Sequence, residues 1–331
     1  NTSIGLAASG TGNIPTFIAF NNGTSVTATI NITATLNNCT TSGSYTITVN
    51  PLPVPNPIIS DYELCDYNTP GDESEVFTLN SMDTEIANGQ SNVTISYYLT
   101  QGDAETQTSP LPNLYSNNGN PQEIWIRVTN TITASQCASL SMITLTVNEL
   151  PELVVEDGFI CVDPVTLQPI GTYTIVPIID DPSLYTYVWY FNGDEIVGAT
   201  DATYTTSLNG NYGVIATNIA TGCTMLAAET MTLANTSAAI IGEVTVSNAF
   251  TDNQVITVNV VGGLGDYEYQ LDFGPFQDSN IFTNVTPGEH TVTVRDKNNG
   301  GCDTVSTIVL AINYPLFFTP NGDGFNDTWN I

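Results

Sequence analysis

Asn321, Asp323 and Asp327 set oxygen-bearing side chains at close spacing around Gly322 and Gly324, near the C-terminal end of this 331-residue chain. Oxygen donors spaced about glycines let a tight loop wrap a hard cation, so the three residues are a candidate site for a structural calcium ion. The same residues also suit an Asn/Asp/Gly turn held by side chain to backbone hydrogen bonds, and both readings stand. A second acidic tract, Asp61, Glu63 and Asp66 with Asp72, Glu73 and Glu75, is cation-capable but expected as solvated loop.

Other candidates for chemistry read more simply as structure. His290 is the only histidine, so an imidazole-based dyad or triad has a single base to build on, and a surface or strand-end role is expected. Asp266, Glu268 and Asp272 could supply a glycosidase pair, yet their alternation with Tyr267, Tyr269 and Leu271 is that of a strand with one wet face. Gly262-Gly-Leu-Gly265 is followed by no Gly-Lys-Ser/Thr and reads as a turn between strands, not a phosphate loop. Tyr97, Tyr98, Trp125, Tyr187, Trp189 and Tyr190 could face a surface polysaccharide, although alternation assigns about half of them to cores. No residues are expected to be catalytic.

Thirty-three acidic residues face only Arg127, Arg295 and Lys297, for a formal charge of −30. Phosphates could not be neutralised by such a chain, which excludes nucleic acid and anionic membrane surfaces as partners. Abundant Thr, Val, Ile and Tyr at low charge density point to a folded, mostly β chain. With so few cations, cohesion must come from strand ladders, apolar cores and disulfides. No apolar run reaches the roughly 18 residues that span a bilayer, and any export signal is expected upstream of Asn1.

The cysteines reveal a repeat. Cys39 precedes Asn50 by 11 residues, Cys137 precedes Asn148 by 11, Cys302 precedes Asn313 by 11 and Cys223 precedes Asn235 by 12. Between them run alternating segments such as Tyr45-Thr-Ile-Thr-Val49 and Ile143-Thr-Leu-Thr-Val147, each read as the strand that closes a sandwich. Two of these are followed by nearly the same proline linker, Val49-Asn-Pro-Leu-Pro53 and Val147-Asn-Glu-Leu-Pro151. The expected organisation is a string of all-β, immunoglobulin-like or PKD-like sandwiches: a partial module at 1–52, modules at 53–150, 151–236 and 237–312, and the start of a further domain at 313–331. Short helical turns are expected near Ser81 to Asn88 and Asp103 to Thr108.

Val188-Trp-Tyr-Phe191 followed by Asn192-Gly193 reads as a core strand entering a type I′ hairpin. Asn209 to Ala216 has the form of a tyrosine corner around Tyr212, with Val214 where immunoglobulin domains often place a cysteine. Cys161 with Cys223, and Cys65 with Cys137, are therefore expected to pair, each stapling a first strand to the approach of the last. Cys39 is expected to pair upstream of Asn1 and Cys302 to be a buried thiol. Cysteine-based metal binding is not expected, because no CxxC spacing occurs.

Several tracts resemble known families. Phe317-Phe-Thr-Pro-Asn-Gly-Asp-Gly with Asn326-Asp327 resembles the opening of the gliding motility-associated C-terminal domain, the type B sorting domain of the type IX secretion system in Bacteroidota. Gly262-Gly-Leu-Gly-Asp266, Pro287-Gly-Glu-His290 and Gly301-Cys302 resemble the SprB repeat of gliding adhesins. Residues 1–52 resemble PKD-like repeats, and Glu63-Leu-Cys-Asp66 resembles immunoglobulin-like modules of the same surface proteins. The resemblance implies a non-catalytic stalk of a secreted cell-surface adhesin, with the type IX machinery and a PorP/SprF-like outer-membrane protein as partners. The alternative it leaves open is a tether for a secreted polysaccharide-degrading enzyme.

Overall fold

The structure, a computed structural model, describes residues 2–21, 23–131, 137–247, 253–298, 302–312, 320 and 322. Asn321, Asp323 and Asp327 lie outside the described residues. The chain is nearly all β and divides into two compact blocks, residues 1–150 and 151–331. No helix among the described residues is long and apolar enough to cross a membrane.

The first block begins with a long hairpin, β1 (Val26–Leu36) and β2 (Cys39–Val49), closed by Asn37 and Asn38 at positive φ. Asparagine tolerates the left-handed region that a two-residue hairpin turn needs. Behind it sits a small cluster of Ile4, Leu6 and Ala28. Among the described residues β2 pairs only with β1, so the alternation of Tyr45 to Val49 marks a hairpin strand rather than the closing strand of a sandwich.

The rest of the block is a sandwich. Its larger sheet runs in the order β3 (Tyr62–Cys65), β8 (Ala138–Asn148), β7 (Gln122–Asn130), β5 (Val93–Tyr98), and β4 (Val76–Thr78) pairs with β6 (Leu114–Ser116). Period-two burial in β7 and β8 turns Ile124, Ile126, Val128, Ile143, Leu145 and Val147 inward onto Phe77, Leu79 and Ile86. The expected helical turns are present as α1 (Asp83–Ile86) and α2 (Gln101–Thr106), the second capped by Thr100.

Two sandwiches make up the described part of the second block. The first has a five-stranded sheet in the order β12 (Asp194–Glu195), β11 (Tyr185–Phe191), β14 (Gly210–Asn218), β15 (Glu229–Ser237), β9 (Gly158–Val162), with β10 (Tyr173–Ile175) paired to β13 (Tyr204–Thr206). Its core centres on Trp189, whose indole N–H donates to Asp201 O at 2.9 Å. Asn192 and Gly193 both take positive φ between β11 and β12, as a type I′ turn requires. The Tyr212 hydroxyl donates to Leu208 O at 2.8 Å, completing the tyrosine corner, and Val214 is fully buried.

The second sandwich packs the sheet β16 (Ile240–Val246), β17 (Gln254–Gly262), β19 (Ile281–Val285) with the sheet β18 (Tyr267–Leu271), β20 (Gly288–Asp296), β21 (Val305–Ala311). Valine supplies most of its core: Val258, Val285, Val292, Val294 and Val309. Gly262 to Gly265 is the turn between β17 and β18.

One topological feature recurs. In both immunoglobulin-like sandwiches the first strand runs parallel to the last: β3 along β8, with Cys65 opposite Asn148, and β9 along β15, with Cys161 opposite Thr236. A parallel edge strand brings the end of the first strand to the end of the last one, and this decides where the first-strand cysteines lie.

Candidate functional site: a stapled junction between sandwiches

Cys161 forms a disulfide with Cys302, 141 residues away, with their Cα atoms 5.2 Å apart. The bond joins β9 of one sandwich to the loop between β20 and β21 of the next, both within the second block. This corrects the expected pairing of Cys161 with Cys223 and the expected thiol at Cys302. Because β9 is parallel to β15, Cys161 lies level with Thr236, whereas Cys223 precedes the opposite end of β15 at Glu229. The seven residues from Glu229 to Thr236 span roughly 23 Å at about 3.3 Å each, which sets the two cysteines toward opposite ends of the strand, whereas a disulfide bridges Cα atoms no more than roughly 7 Å apart. Cys223 is itself disulfide-bonded.

The same geometry overturns the expected pairing of Cys65 with Cys137. Cys65 is opposite Asn148, at the far end of β8 from Cys137. Cys65 is disulfide-bonded, while Cys137 is a thiol. Cys137 and Cys223 are nonetheless equivalent in position: the carbonyl of each accepts the N–H of the terminal asparagine of the preceding strand, Asn130 at 2.9 Å and Asn218 at 2.8 Å. Cys39 is an exposed thiol directly after its hairpin turn.

Around the Cys161–Cys302 bond the two sandwiches share a buried connector. β15 ends at Ser237 and β16 begins at Ile240, and Thr236 and Ser237 are wholly inaccessible to solvent. Buried hydroxyls are costly unless paired, and here both are. Thr236 Oγ1 donates to the Asp296 carboxylate at the end of β20. Ser237 Oγ accepts from Leu264 N at 2.9 Å, and Ser237 O accepts the Tyr267 hydroxyl proton at 3.0 Å. Asp296 also takes the Asp266 N–H at 3.0 Å, which ties the β17–β18 turn to the same carboxylate. Close approach demands glycine here. A Cβ on Gly263, at φ +115°, would stand 2.8 Å from Ala238 O and 2.0 Å from the Tyr267 hydroxyl oxygen.

The acidic face around β18 is the wet one, as expected, with the Asp266 and Asp272 side chains 66% and 41% exposed, and two of the three Lys and Arg residues pair with it. Glu268 accepts from Arg295 Nε at 2.6 Å, Asp266 and Asp278 meet Lys297 Nζ at 3.2 and 2.8 Å, and Arg295 lies 3.7 Å over the Phe276 ring. Asp272 meets His290 Nδ1 at 2.8 Å, and the other ring nitrogen contacts Thr286 O at 2.6 Å. His290 therefore occupies a strand end, as expected, but is buried rather than on the surface. The Asp272 bond holds the imidazole above the usual histidine range, and the His290 bond with the Thr291 N–H holds the Asp272 carboxyl below the usual range.

Remaining candidates resolve into structure. Among the described residues no group of three or more His, Cys, Asp or Glu side chains could hold a metal ion. Asp66, expected in a solvated tract, is 1% exposed and accepts from Gly71 N at 2.6 Å and Glu73 N at 3.2 Å, pinning the loop after β3. Four of the six aromatic residues considered for polysaccharide, Tyr97, Tyr98, Tyr187 and Trp189, are core residues. A cysteine shortly after the Asn or Asp that ends the penultimate strand is a sequence feature that the junction shares with the other sandwiches, although Cys137 is a thiol. It recurs as Asn130 to Cys137, Asn218 to Cys223 and Asp296 to Cys302.

Residues 61–151 match the family described as the Flavobacterium inter-domain disulphide bond domain, which suggests a flavobacterial origin. No curated protein matches the chain. Similar solved structures include extracellular domains 3–5 of Drosophila OTK, at 10% identity over 67% of this chain and 85% of that one, TM-score 0.31. Three titin domains match at 12% identity over 68% and 90%, TM-score 0.32. Three N-terminal domains of the bacteriophage RB49 Hoc protein match at 13% identity over 66% and 86%, TM-score 0.35.

Proposed function

We propose that this chain is a passive, covalently reinforced stalk of a large adhesin on the surface of a Bacteroidota cell, exported by the type IX secretion system and used in attachment or gliding. The observation that carries the stalk reading is the junction itself. Its connector residues are buried, its polar groups are satisfied and a disulfide closes it, which are the properties of a spacer that keeps neighbouring beads in register. Disulfides of this kind form and persist in oxidising compartments, which supports an extracellular setting. The adhesin and export readings rest on the sorting-domain and SprB-like tracts, and Asn321, Asp323 and Asp327 are proposed to clip a structural calcium within the former.

The test is deletion of the tract from Tyr314 onward in the parent protein, followed by antibody staining of intact cells and of periplasmic fractions. Retention in the periplasm is expected; undiminished surface display would remove the export reading. Attachment of cells to glass by an in-frame deletion of residues 151–312 that still reaches the surface addresses the stalk. Weakened attachment is expected, and unchanged attachment and gliding would argue against an adhesive stalk.

A further inference from the structure

In the sandwich of the first block, β3 lies parallel along Leu145, Thr146, Val147 and Asn148, the last four residues of β8. The shared 11-residue spacing from cysteine to asparagine makes Ile47, Thr48, Val49 and Asn50 their counterparts on the β1–β2 hairpin. Among the described residues β2 has no strand on its outer edge, and an open groove lies there instead. Successive strand side chains point to opposite faces, so lining by all four of Ile47, Thr48, Val49 and Asn50 sets the groove along the edge of β2 rather than on a face. Its volume is about 640 Å³, and Phe17, Phe20 and Cys137 also line it. With about 3.3 Å of rise, about 4.8 Å between strands and about 10 Å of sheet thickness, a strand fills roughly 160 Å³ per residue. The groove therefore takes about four residues, which is the length of β3. Even the terminal hydrogen bond has a stand-in. Asn148 O accepts the Asp66 N–H at 2.9 Å at the end of β3, whereas its counterpart Asn50 O accepts the Asn21 side-chain amide at 2.8 Å.

The cysteines fix the register. Cys65 of β3 lies opposite Asn148, and Cys161 of β9 lies opposite Thr236, one residue after the equivalent Asn235. A first strand laid along β2 in that register would bring its own cysteine level with Asn50 or Pro51, in the groove that Cys137 lines. Cys137 is a thiol, and its place in its sandwich is that of Cys302, which bonds the first-strand cysteine of the sandwich before it. The first 60 residues carry no charged side chain, so an acidic or basic strand would find no counter-charge there. We propose that this groove is a strand-acceptor site: it takes an uncharged strand of about four residues, apolar at alternate positions, that adds parallel to β2 and ends in a cysteine beside Cys137. The strand is supplied by the polypeptide ahead of Asn1, and its addition turns an open hairpin edge into a paired one. The two thiols then close by passing two electrons and two protons to a disulfide-bearing oxidant, which is left as a dithiol. The inference uses the tandem-stalk reading only for the source of the strand, and its test on purified protein is independent of export and attachment.

The probe is the peptide acetyl-Gly-Phe-Ile-Cys-amide, the sequence of β9 from Gly158 to Cys161, added to the full wild-type chain as its 2-pyridyl disulfide in excess small thiol. Cys137 attacks the peptide sulfur, pyridine-2-thione leaves, and the thiol buffer lets the adducts reach equilibrium. A copy of the peptide N-methylated at its backbone amides carries the same side chains but cannot donate to a strand. Peptide mapping should show the Cys137 adduct favoured at least 10-fold for the unmodified peptide, while exposed Cys39, at the other end of the hairpin, shows no preference. Amides of residues 47–50 should exchange more slowly in the Cys137 adduct. In a fragment of the parent that extends further upstream, the same amides should be slow without peptide. Equal adduct at Cys137 for the two peptides would overturn the proposal, as would an adduct that leaves residues 47–50 unprotected or an extended fragment that exchanges as fast as this chain. Sedimentation equilibrium covers the other occupant: a dimer of this chain in which residues 47–50 are already protected would give the groove to a second copy and overturn it too.

Discussion

His290 and Asp272 form a pair whose two partners titrate in opposite senses. The imidazole is held above the usual histidine range, so the stability it contributes is fully present below its unfolded value near 6.5 and is lost as pH rises through its raised folded value. The carboxyl is held low, so its contribution is present above about 3.9 and is lost as pH falls through its lowered folded value. The pair therefore stabilises most between about pH 4 and 6.5. His290→Gln should cost about 1 kcal/mol in that window, a figure kept small because the Asp272 side chain is 41% exposed, and less above it. Urea denaturation of both proteins at pH 5.5 and pH 8.5 measures this, and an equal loss at the two values would show that the pair contributes no charge. At Tyr212, Phe should cost about 1 to 3 kcal/mol, because Leu208 O loses its donor in the core, and the shift in urea midpoint reads it. Both the tyrosine corner and the buried Trp189 were legible in sequence, since aromatic type, turn residues and spacing are local. The burial of His290 and Asp66 was not, because each is decided by a partner distant in sequence or by backbone N–H groups that no side-chain pattern encodes.

Strands were legible where one face is apolar. The alternations of β7, β8 and β20 match their burial patterns, and the Asn192-Gly193 hairpin follows from turn chemistry alone. What local pattern could not supply was direction. A four- or five-residue first strand carries the same alternation whether it lies parallel or antiparallel to the last, yet that choice places Cys161 beside Thr236 and far from Cys223. Both misassigned pairings share that one cause. At the junction, the cost of crowding separates from the cost of backbone conformation by comparing two glycines. Gly198 has positive φ with open space around it, whereas Gly263 has positive φ and would drive a Cβ into Ala238 O and Tyr267. Gly198→Ala should cost about 1 kcal/mol through φ alone, and Gly263→Ala clearly more, of the order of 2 to 4 kcal/mol. Hydrogen exchange locates the damage: in Gly263→Ala the Leu264 amide, bonded to Ser237 Oγ, should lose protection. Identical destabilisation by the two substitutions would mean that the connector is not tightly held.

Across the whole chain, thirty-three acidic residues against three lysines and arginines make self-repulsion the dominant long-range electrostatic term. The few cations are already committed. Arg295 and Lys297 bind carboxylates of the last sandwich, and Arg127 donates to the Ala104 and Glu105 carbonyls at the end of α2, so most carboxylates elsewhere have no cation to meet. The two kinds of term respond to salt in opposite ways. Raising ionic strength from 0.01 to 0.15 M shortens the screening length from about 30 to about 8 Å, which leaves contact pairs partly intact but removes repulsion between charges spread over a sandwich. The disulfide works against the same repulsion from the unfolded side: closing a loop of 141 residues lowers unfolded-chain entropy by an amount equivalent to about 5 kcal/mol at most. Melting temperature at pH 7 should therefore rise with added sodium chloride, where a protein held by surface ion pairs would show a fall. The rise should be steeper for the Cys161→Ser, Cys302→Ser variant, whose unfolded chain expands without the cross-link and sheds more repulsion on unfolding. Toward pH 4 the carboxylates protonate and the salt dependence should flatten in both proteins. Calorimetry at the two salt concentrations and two pH values decides the matter: a melting temperature that falls with salt at pH 7 would mean that the ion pairs around Asp266, Glu268 and Asp272 outweigh the repulsion of all the remaining carboxylates.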